Sequence, residues 1–155
     1  MRVAPRHDAL PAEDCRVGID MIAVHSIEEA RAAHGERYLR RIFTEHELDS
    51  CRTPQGLSSA SLAARWAAKE ATIKVLAPAE GQPEWTTMEV RRSASGAPTM
   101  ELSGSAAVLA AEAGITSLAL SMTHEGPFAA AVVFALCTTE HAGERSHGRK
   151  DATDA

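Results

Sequence analysis

The sequence predicts an α+β fold: an antiparallel sheet with helices packed on it. Three observations carry this. The strand and helix signals follow in the order strand, helices, hairpin, helix, hairpin, and strands joined by short turns pair antiparallel. The run Ser61–Leu76, SLAARWAAKEATIKVL, has neither Gly nor Pro and is rich in strong helix formers, so one long helix organises the rest. At 155 residues, 45% of them hydrophobic, the chain has enough material for one domain with a core and too little for two. Aromatics make up only 4%, so that core is built from Ala, Val, Leu and Ile.

Residues 1–14 are polar with two prolines and read as a loose lead-in to a single domain over 15–137. Arg16–Val24 reads as a strand. Asp20 interrupts it, and aspartate is both depleted in strands and costly to bury unpaired. Ser26 with Glu29 has the spacing of a capping box opening a helix to His34, with Gly35 as its stop. A second helical piece, Gly35–Phe43, follows. Thr44 with Glu47 forms another capping box, for a short helix through Cys51. Arg52–Ser59 reads as a loop by its Pro, Gly and Ser content.

For the long helix, Ser58, Ser59 and Ser61 offer N-caps, and Pro78 ends it near Leu76 or Ala77. Leu62, Trp66, Ile73 and Leu76 recur at helical spacing as a core-facing stripe. Ala77–Glu84 is a loop. Thr86–Arg92 alternates as a strand with Met88 and Val90 on one face, Ser93–Pro98 turns, and Thr99–Leu102 returns. Ser105–Ala113 is an Ala-rich helix with Gly114 fitting its C′ position. Thr116–Met122 and Ala129–Leu136 are apolar strands around the turn segment HEGP. Residues 138–155 are polar without apolar periodicity and are expected to be disordered.

A net charge of −5 argues against an extended nucleic-acid surface, and no apolar run approaches the eighteen residues of a membrane span. The N-terminus lacks the apolar stretch of a signal peptide. Cys15, Cys51 and Cys137, odd in number and scattered, suggest reduced thiols in a cytoplasmic protein and no zinc site. Neither G-x-G-x-x-G nor a P-loop string is present, which removes the main support for dinucleotide and P-loop readings.

Glu70 and Lys74, four apart, share a helix face. Alone they describe an ordinary exposed ion pair. Their company adds a second reading: Trp66 lies one turn earlier, Arg65 adds a guanidinium, and Ala67, Ala68 and Ala71 are expected to leave open space around the carboxylate. Such a set could hold a metal–phosphate group. His124, at a strand end, is by itself more often structural or merely exposed.

The string WAAKEATIKVL resembles the W/F-x-x-K-E-A/S-x-x-K signature of 4′-phosphopantetheinyl transferases, nearest to the short holo-acyl-carrier-protein synthase type. Three more blocks agree in order: VGIDMIAV at Val17, RYLRRIFTEHEL at Arg37 and SLALSMTHEGPFAAAVV at Ser117. The resemblance runs from Val17 to Leu136. It implies the short, single-domain, trimeric form of that fold. It also implies transfer of the phosphopantetheine arm of coenzyme A to a serine of an apo acyl carrier protein, with Mg2+. Asp20 and Glu70 match the family's metal-binding carboxylates, and with Lys74 they form the catalytic set. Lys74 matches a diphosphate-binding lysine. Arg65, Thr123 and His124 are assigned to coenzyme A binding, and Arg37 and Arg41 match arginines in the carrier-docking block. The resemblance also implies a homotrimer with active sites between subunits, in which Asp20 with His124 and the Glu70 helix need not come from one chain. The proton acceptor is left open between Glu70 and a metal-held hydroxide. A non-catalytic coenzyme A or carrier-binding module is the alternative, and a magnesium-dependent phosphohydrolase a third reading. One departure stands out. Relatives continue the central helix into a glycine-containing phosphate loop, whereas here it runs into Leu76, Ala77, Pro78 and Ala79.

Overall fold

The computed structural model describes residues 14–138; the expected lead-in and tail otherwise lie outside the described residues. In chain order the elements are β1 (Asp14–Ala23), α1 (Val24–Ile42), α2 (Glu45–Ser50), β2 (Arg52–Thr53), β3 (Gly56–Leu57), α3 (Ser59–Leu76), β4 (Met88–Arg92), β5 (Pro98–Leu102), α4 (Gly104–Glu112), β6 (Ile115–Glu125) and β7 (Phe128–Cys137). A 3-10 turn, Trp85–Thr87, precedes β4.

Three strands form the main sheet in the order β1-β7-β6, every neighbour antiparallel. Gly126 at φ 54 and Pro127 make the tight turn between β6 and β7. The strands β4 and β5 pair as a separate hairpin. The α+β arrangement expected from element order is the one observed.

α3 lies across one face of the main sheet. The residues of β7 that meet it are small: Ala129, Ala131, Val133 and Ala135 are all buried. On β1 the helix backbone comes close at Gly18. A Cβ there would lie 2.0 Å from the Ala71 carbonyl oxygen and 3.0 Å from Val75 Cγ2. A glycine is therefore required sterically, and it lets helix and strand meet backbone to backbone.

The alternation that buries Gly18 and Ala131 turns Val17, Ile19, Met21, Val132 and Phe134 to the other face. There the first three are 61–66% exposed and the last two 38%. Val17 stands opposite Phe134 and Ile19 opposite Val132, so these side chains form one continuous apolar patch.

Several local expectations change. α1 begins at Val24 with Ala23 at its N-cap, so the Ser26–Glu29 capping box does not form. Gly35 at φ 67 does break the helix, but as a kink that the second helical piece continues. The Thr44–Glu47 capping box is present in full. The 52–59 loop contains the two-residue strands β2 and β3. Ser58 caps α3. Ala67, Ala68 and Ala71 do not leave open space: all three are fully buried, because α3 is enclosed on most sides and alanine lets its neighbours approach. Of the expected stripe, Leu62, Ile73 and Leu76 are buried, while Trp66 is half-buried in an aromatic stack with Tyr38 and Trp85.

Candidate functional site

Asp20, Glu70 and Lys74 converge where β1 crosses α3. Asp20 shares the α3-facing side of β1 with Gly18, and the close approach at Gly18 brings its carboxylate to the helix. Lys74 Nζ lies 3.0 Å from Asp20 Oδ1 and donates to the Ile19 carbonyl oxygen at 2.6 Å. The ammonium thus pairs with Asp20; among the described residues it forms no salt bridge to Glu70. Glu70 is pushed above the usual carboxylate range, first by burial, then by the negative charge of Asp20, with Lys74 acting in the opposite sense.

Two hard carboxylates close enough to repel are a donor set that Mg2+ relieves, and that ion takes one or two protein carboxylates beside phosphate and water. No group of three or more His, Cys, Asp or Glu stands together among the described residues, so a metal needing more protein ligands finds none there. The residues present fit Mg2+ held by Asp20 and Glu70.

A second cluster forms a pocket of about 250 Å³ lined by Ser61, Ala64, Arg65, Arg92, Met122, Thr123 and His124. It brings together Arg65, Thr123 and His124. Arg65 is 4% exposed, and its Nη1 donates to the Ser61 carbonyl while its Nη2 donates to Ser50 Oγ at 2.8 Å. Its Nε is buried and has no hydrogen-bond partner among the described residues. Arg92 was missed from sequence; the only signal was its place at the end of a strand, which says nothing of where the guanidinium reaches.

None of Asp20, Glu70 and Lys74 lines that pocket. The reason is helical geometry: Arg65 and Glu70, five residues apart, are rotated by about 140° around α3 and separated by about 7.5 Å along it. One chain therefore joins Asp20 to Glu70, and separately Arg65 to His124.

Lys69, between the two clusters, is a structural cation. Its fully buried ammonium lies 2.8 Å from Glu47 Oε2 and donates to the carbonyls of Trp85 and Met88. Glu47 also accepts from Thr44 N and Val90 N, so its carboxylate serves the helix cap and ties in β4. Burial pushes the Lys69 ammonium down, and Glu47 pushes it back up. Sequence showed only the capping half of this role.

Arg37 and Arg41 lie with His34 and Tyr38 on the kinked end of α1, around an open groove of about 490 Å³. Arg40 pairs with Glu45, whereas Arg37 and Arg41 form no salt bridge among the described residues.

The profile of the 4′-phosphopantetheinyl transferase superfamily matches residues 16–133. The chain belongs to that family. A holo-[acyl-carrier-protein] synthase from Desulforudis audaxviator is 39% identical over 124 residues, 80% of this chain and 94% of the relative. One from Dehalococcoides mccartyi is 41% identical over 118 residues, 76% of this chain and 95% of the relative. Among solved structures, the Chronobacterium ammoniagenes ACPS–CoA complex superposes with TM-score 0.68 at 30% identity, covering 79% of this chain and 96% of that one. The Helicobacter pylori holo-[acyl-carrier-protein] synthase in complex with coenzyme A gives 0.67 at 28% identity, covering 77% and 99%. These matches bear out the family and the α+β fold of the 4′-phosphopantetheinyl transferases expected from the four sequence blocks. Among the described residues no helix is long and apolar enough to cross a membrane.

Proposed function

We propose that this chain is a holo-[acyl-carrier-protein] synthase: it transfers the 4′-phosphopantetheine arm of coenzyme A to a serine hydroxyl of an apo acyl carrier protein. The serine oxygen bonds to the phosphorus next to pantetheine, the P–O bond to the nucleotide breaks, and adenosine 3′,5′-bisphosphate leaves with that oxygen. The observation that carries the reading is the convergence of Asp20, Glu70 and Lys74 at the β1–α3 crossing. Phosphoryl-type transfer asks a protein mainly for positioning and charge neutralisation. Lys74, half-exposed, supplies a mobile point charge to the diphosphate. Asp20 and Glu70 hold Mg2+, which supplies positive charge against the diphosphate when bound. The serine gives up its proton as it attacks, with Glu70 as one acceptor for it.

Arg65, Arg92, Thr123 and His124 bind the nucleotide end of coenzyme A in the second pocket. Arg37 and Arg41 meet the acidic carrier. Because the two clusters sit on different sides of α3, the reading includes a homotrimer in which one chain's Asp20, Glu70 and Lys74 face another chain's His124 pocket. The exposed apolar sheet face supports it, since a patch of that size calls for a cover. The reading also includes a cytoplasmic location, to which three unpaired cysteines conform.

The test mixes the protein with apo carrier, coenzyme A and magnesium and weighs the carrier by mass spectrometry. The expected result is a carrier heavier by one phosphopantetheine, with adenosine 3′,5′-bisphosphate released. An unmodified carrier bound to the protein would leave a non-catalytic module, and coenzyme A cleaved without carrier would mean a hydrolase.

A further inference from the structure

The Arg65 guanidinium is held by something outside its own helix. Its Nη2 donates to Ser50 Oγ at 2.8 Å, across fifteen residues of sequence. The Ser50 hydroxyl in turn donates its proton to the Glu47 carbonyl oxygen at 2.8 Å. A hydroxyl has one proton, and here it is committed, so the lone pairs are what Ser50 presents to the arginine. The serine is thereby fixed as an acceptor, and the guanidinium plane is fixed with it. Nη1 is tethered to the Ser61 carbonyl. Of five N–H donors two are used among the described residues, leaving three, with the buried Nε–H among them.

What holds Ser50 in place is the rest of α2. This six-residue helix is pinned by the fully buried Glu47–Lys69 pair, whose ammonium spends all three of its protons on Glu47, Trp85 O and Met88 O. The other oxygen of Glu47 accepts from Val90 N, two residues before Arg92 on β4. One buried hub therefore sets the position of both cations lining the 250 Å³ pocket: Arg65 through Ser50, and Arg92 through β4.

We propose that Ser50 is a positioning residue for coenzyme A. Carried on a helix locked to α3 by the Glu47–Lys69 pair, it orients the Arg65 guanidinium so that its free N–H donors face an anionic group of the nucleotide. This rests on the proposed coenzyme A reading of that pocket. Ser50 itself touches no substrate. Its hydroxyl works by removing rotational freedom from a guanidinium that would otherwise have to be ordered on binding.

The test compares wild type with Ser50→Ala and Ser50→Thr. Ser50 is exposed apart from its hydroxyl contact, so both variants have room to fold. Three quantities are read: coenzyme A affinity by calorimetry, the KM for carrier and for coenzyme A, and the melting temperature. Ser50→Ala is expected to weaken coenzyme A binding about five- to tenfold, within the usual net worth of one hydrogen bond. The loss falls on the KM for coenzyme A, while the KM for carrier and the melting temperature stay near wild type. Ser50→Thr, which keeps the hydroxyl, restores the affinity. If Ser50→Ala binds coenzyme A as wild type does, the positioning role is overturned while the function stands. If the affinity falls only in step with melting temperature and Thr does not restore it, the residue is merely structural and the proposal fails. If wild type itself does not bind coenzyme A, this proposal and the reading beneath it fall together.

Discussion

Lys74 reaches across the β1–α3 crossing to Asp20, with Nζ 3.0 Å from Oδ1. The pair leaves Glu70, four residues earlier on the same helix face, beside a carboxylate and without an ion pair among the described residues. Burial and Asp20 together hold the Glu70 carboxyl above its ordinary range.

The first prediction is that Glu70→Gln abolishes transfer and, without metal, stabilises the fold at neutral pH. A carboxyl whose folded pKa is raised stabilises the native state below its unfolded pKa, and that contribution is lost as pH rises through the folded value. At neutral pH the ionised Glu70 is therefore a cost that Gln removes. Melting curves taken in chelator should show the variant melting higher at pH 7 and level with wild type below about pH 4, where Glu is protonated in both states. Near-normal transfer by the variant at low magnesium would remove Glu70 from the metal site.

Gly18→Ala should damage both fold and site. The added Cβ would stand 2.0 Å from the Ala71 carbonyl oxygen, a backbone atom that cannot swing aside. The cost is on the order of 3 kcal/mol by denaturant unfolding, within the range for overpacking. Residual folded protein should bind magnesium more weakly, because moving β1 off α3 separates Asp20 from Glu70. A variant of wild-type stability would mean that strand and helix slide apart freely.

How much of this was legible in the sequence divides along physical lines. Periodicity located every long element, and the Thr44–Glu47 box marked α2, since such signals act within a few residues of each other; the Ser26–Glu29 spacing misplaced the start of α1. Asp20 and Glu70 stand out in two of the four blocks, and the strand and the helix that carry them were legible as elements. The two-cluster partition was not, because it depends on the rotation of α3 against a sheet assembled from both ends of the chain. Nor was the burial of Lys69: its neighbours Trp85 and Met88 are carbonyl partners sixteen and nineteen residues away. Alanine misled in a specific way. Small side chains were read as space, whereas in a close-packed core they are the places where neighbours come nearest.

Ala77 gives a third prediction. It adopts φ 45 and ψ 55, the one non-glycine residue with positive φ among the described residues, and it caps α3. A left-handed alanine carries strain that glycine does not. Ala77→Gly should therefore raise stability by about 0.5–1 kcal/mol in denaturant unfolding, after the entropy of the more flexible unfolded chain is set against the relief. A loss of stability would show that the cap is held by the Ala77 side chain.

The docking surface is tested through charge. Arg37 and Arg41 are exposed on one side of the kinked end of α1, beside His34 and Tyr38, with Arg40 drawn off to Glu45. Basic groups facing an acidic carrier steer encounter more than they add affinity. Arg37→Glu with Arg41→Glu should raise the KM for carrier about tenfold or more and flatten the salt dependence of kcat/KM. Coenzyme A binding should be unchanged. The reverse pattern, coenzyme A affinity lost and carrier KM kept, would assign the patch to the nucleotide.

The last prediction concerns the bare face of the main sheet. Val17, Ile19 and Met21 alternate with Gly18 and Asp20 on β1, so the strand that delivers the Asp20 carboxylate to one side presents apolar side chains on the other. Covering each of these side chains is worth about 1.5–3 kcal/mol, enough together to hold subunits at working concentrations. Light scattering on wild type should report three chains per particle. Val17→Lys with Phe134→Glu places opposite charges on residues that stand directly across from one another, which spares the strand pairing while ending the apolar patch. The variant should fold, elute as a monomer, and keep coenzyme A affinity no better than one half-site provides. Transfer should be lost, because on the proposed reading one subunit's Asp20, Glu70 and Lys74 work with another subunit's pocket of Arg65 and His124. A monomeric variant with full transfer would show that one chain completes the site alone.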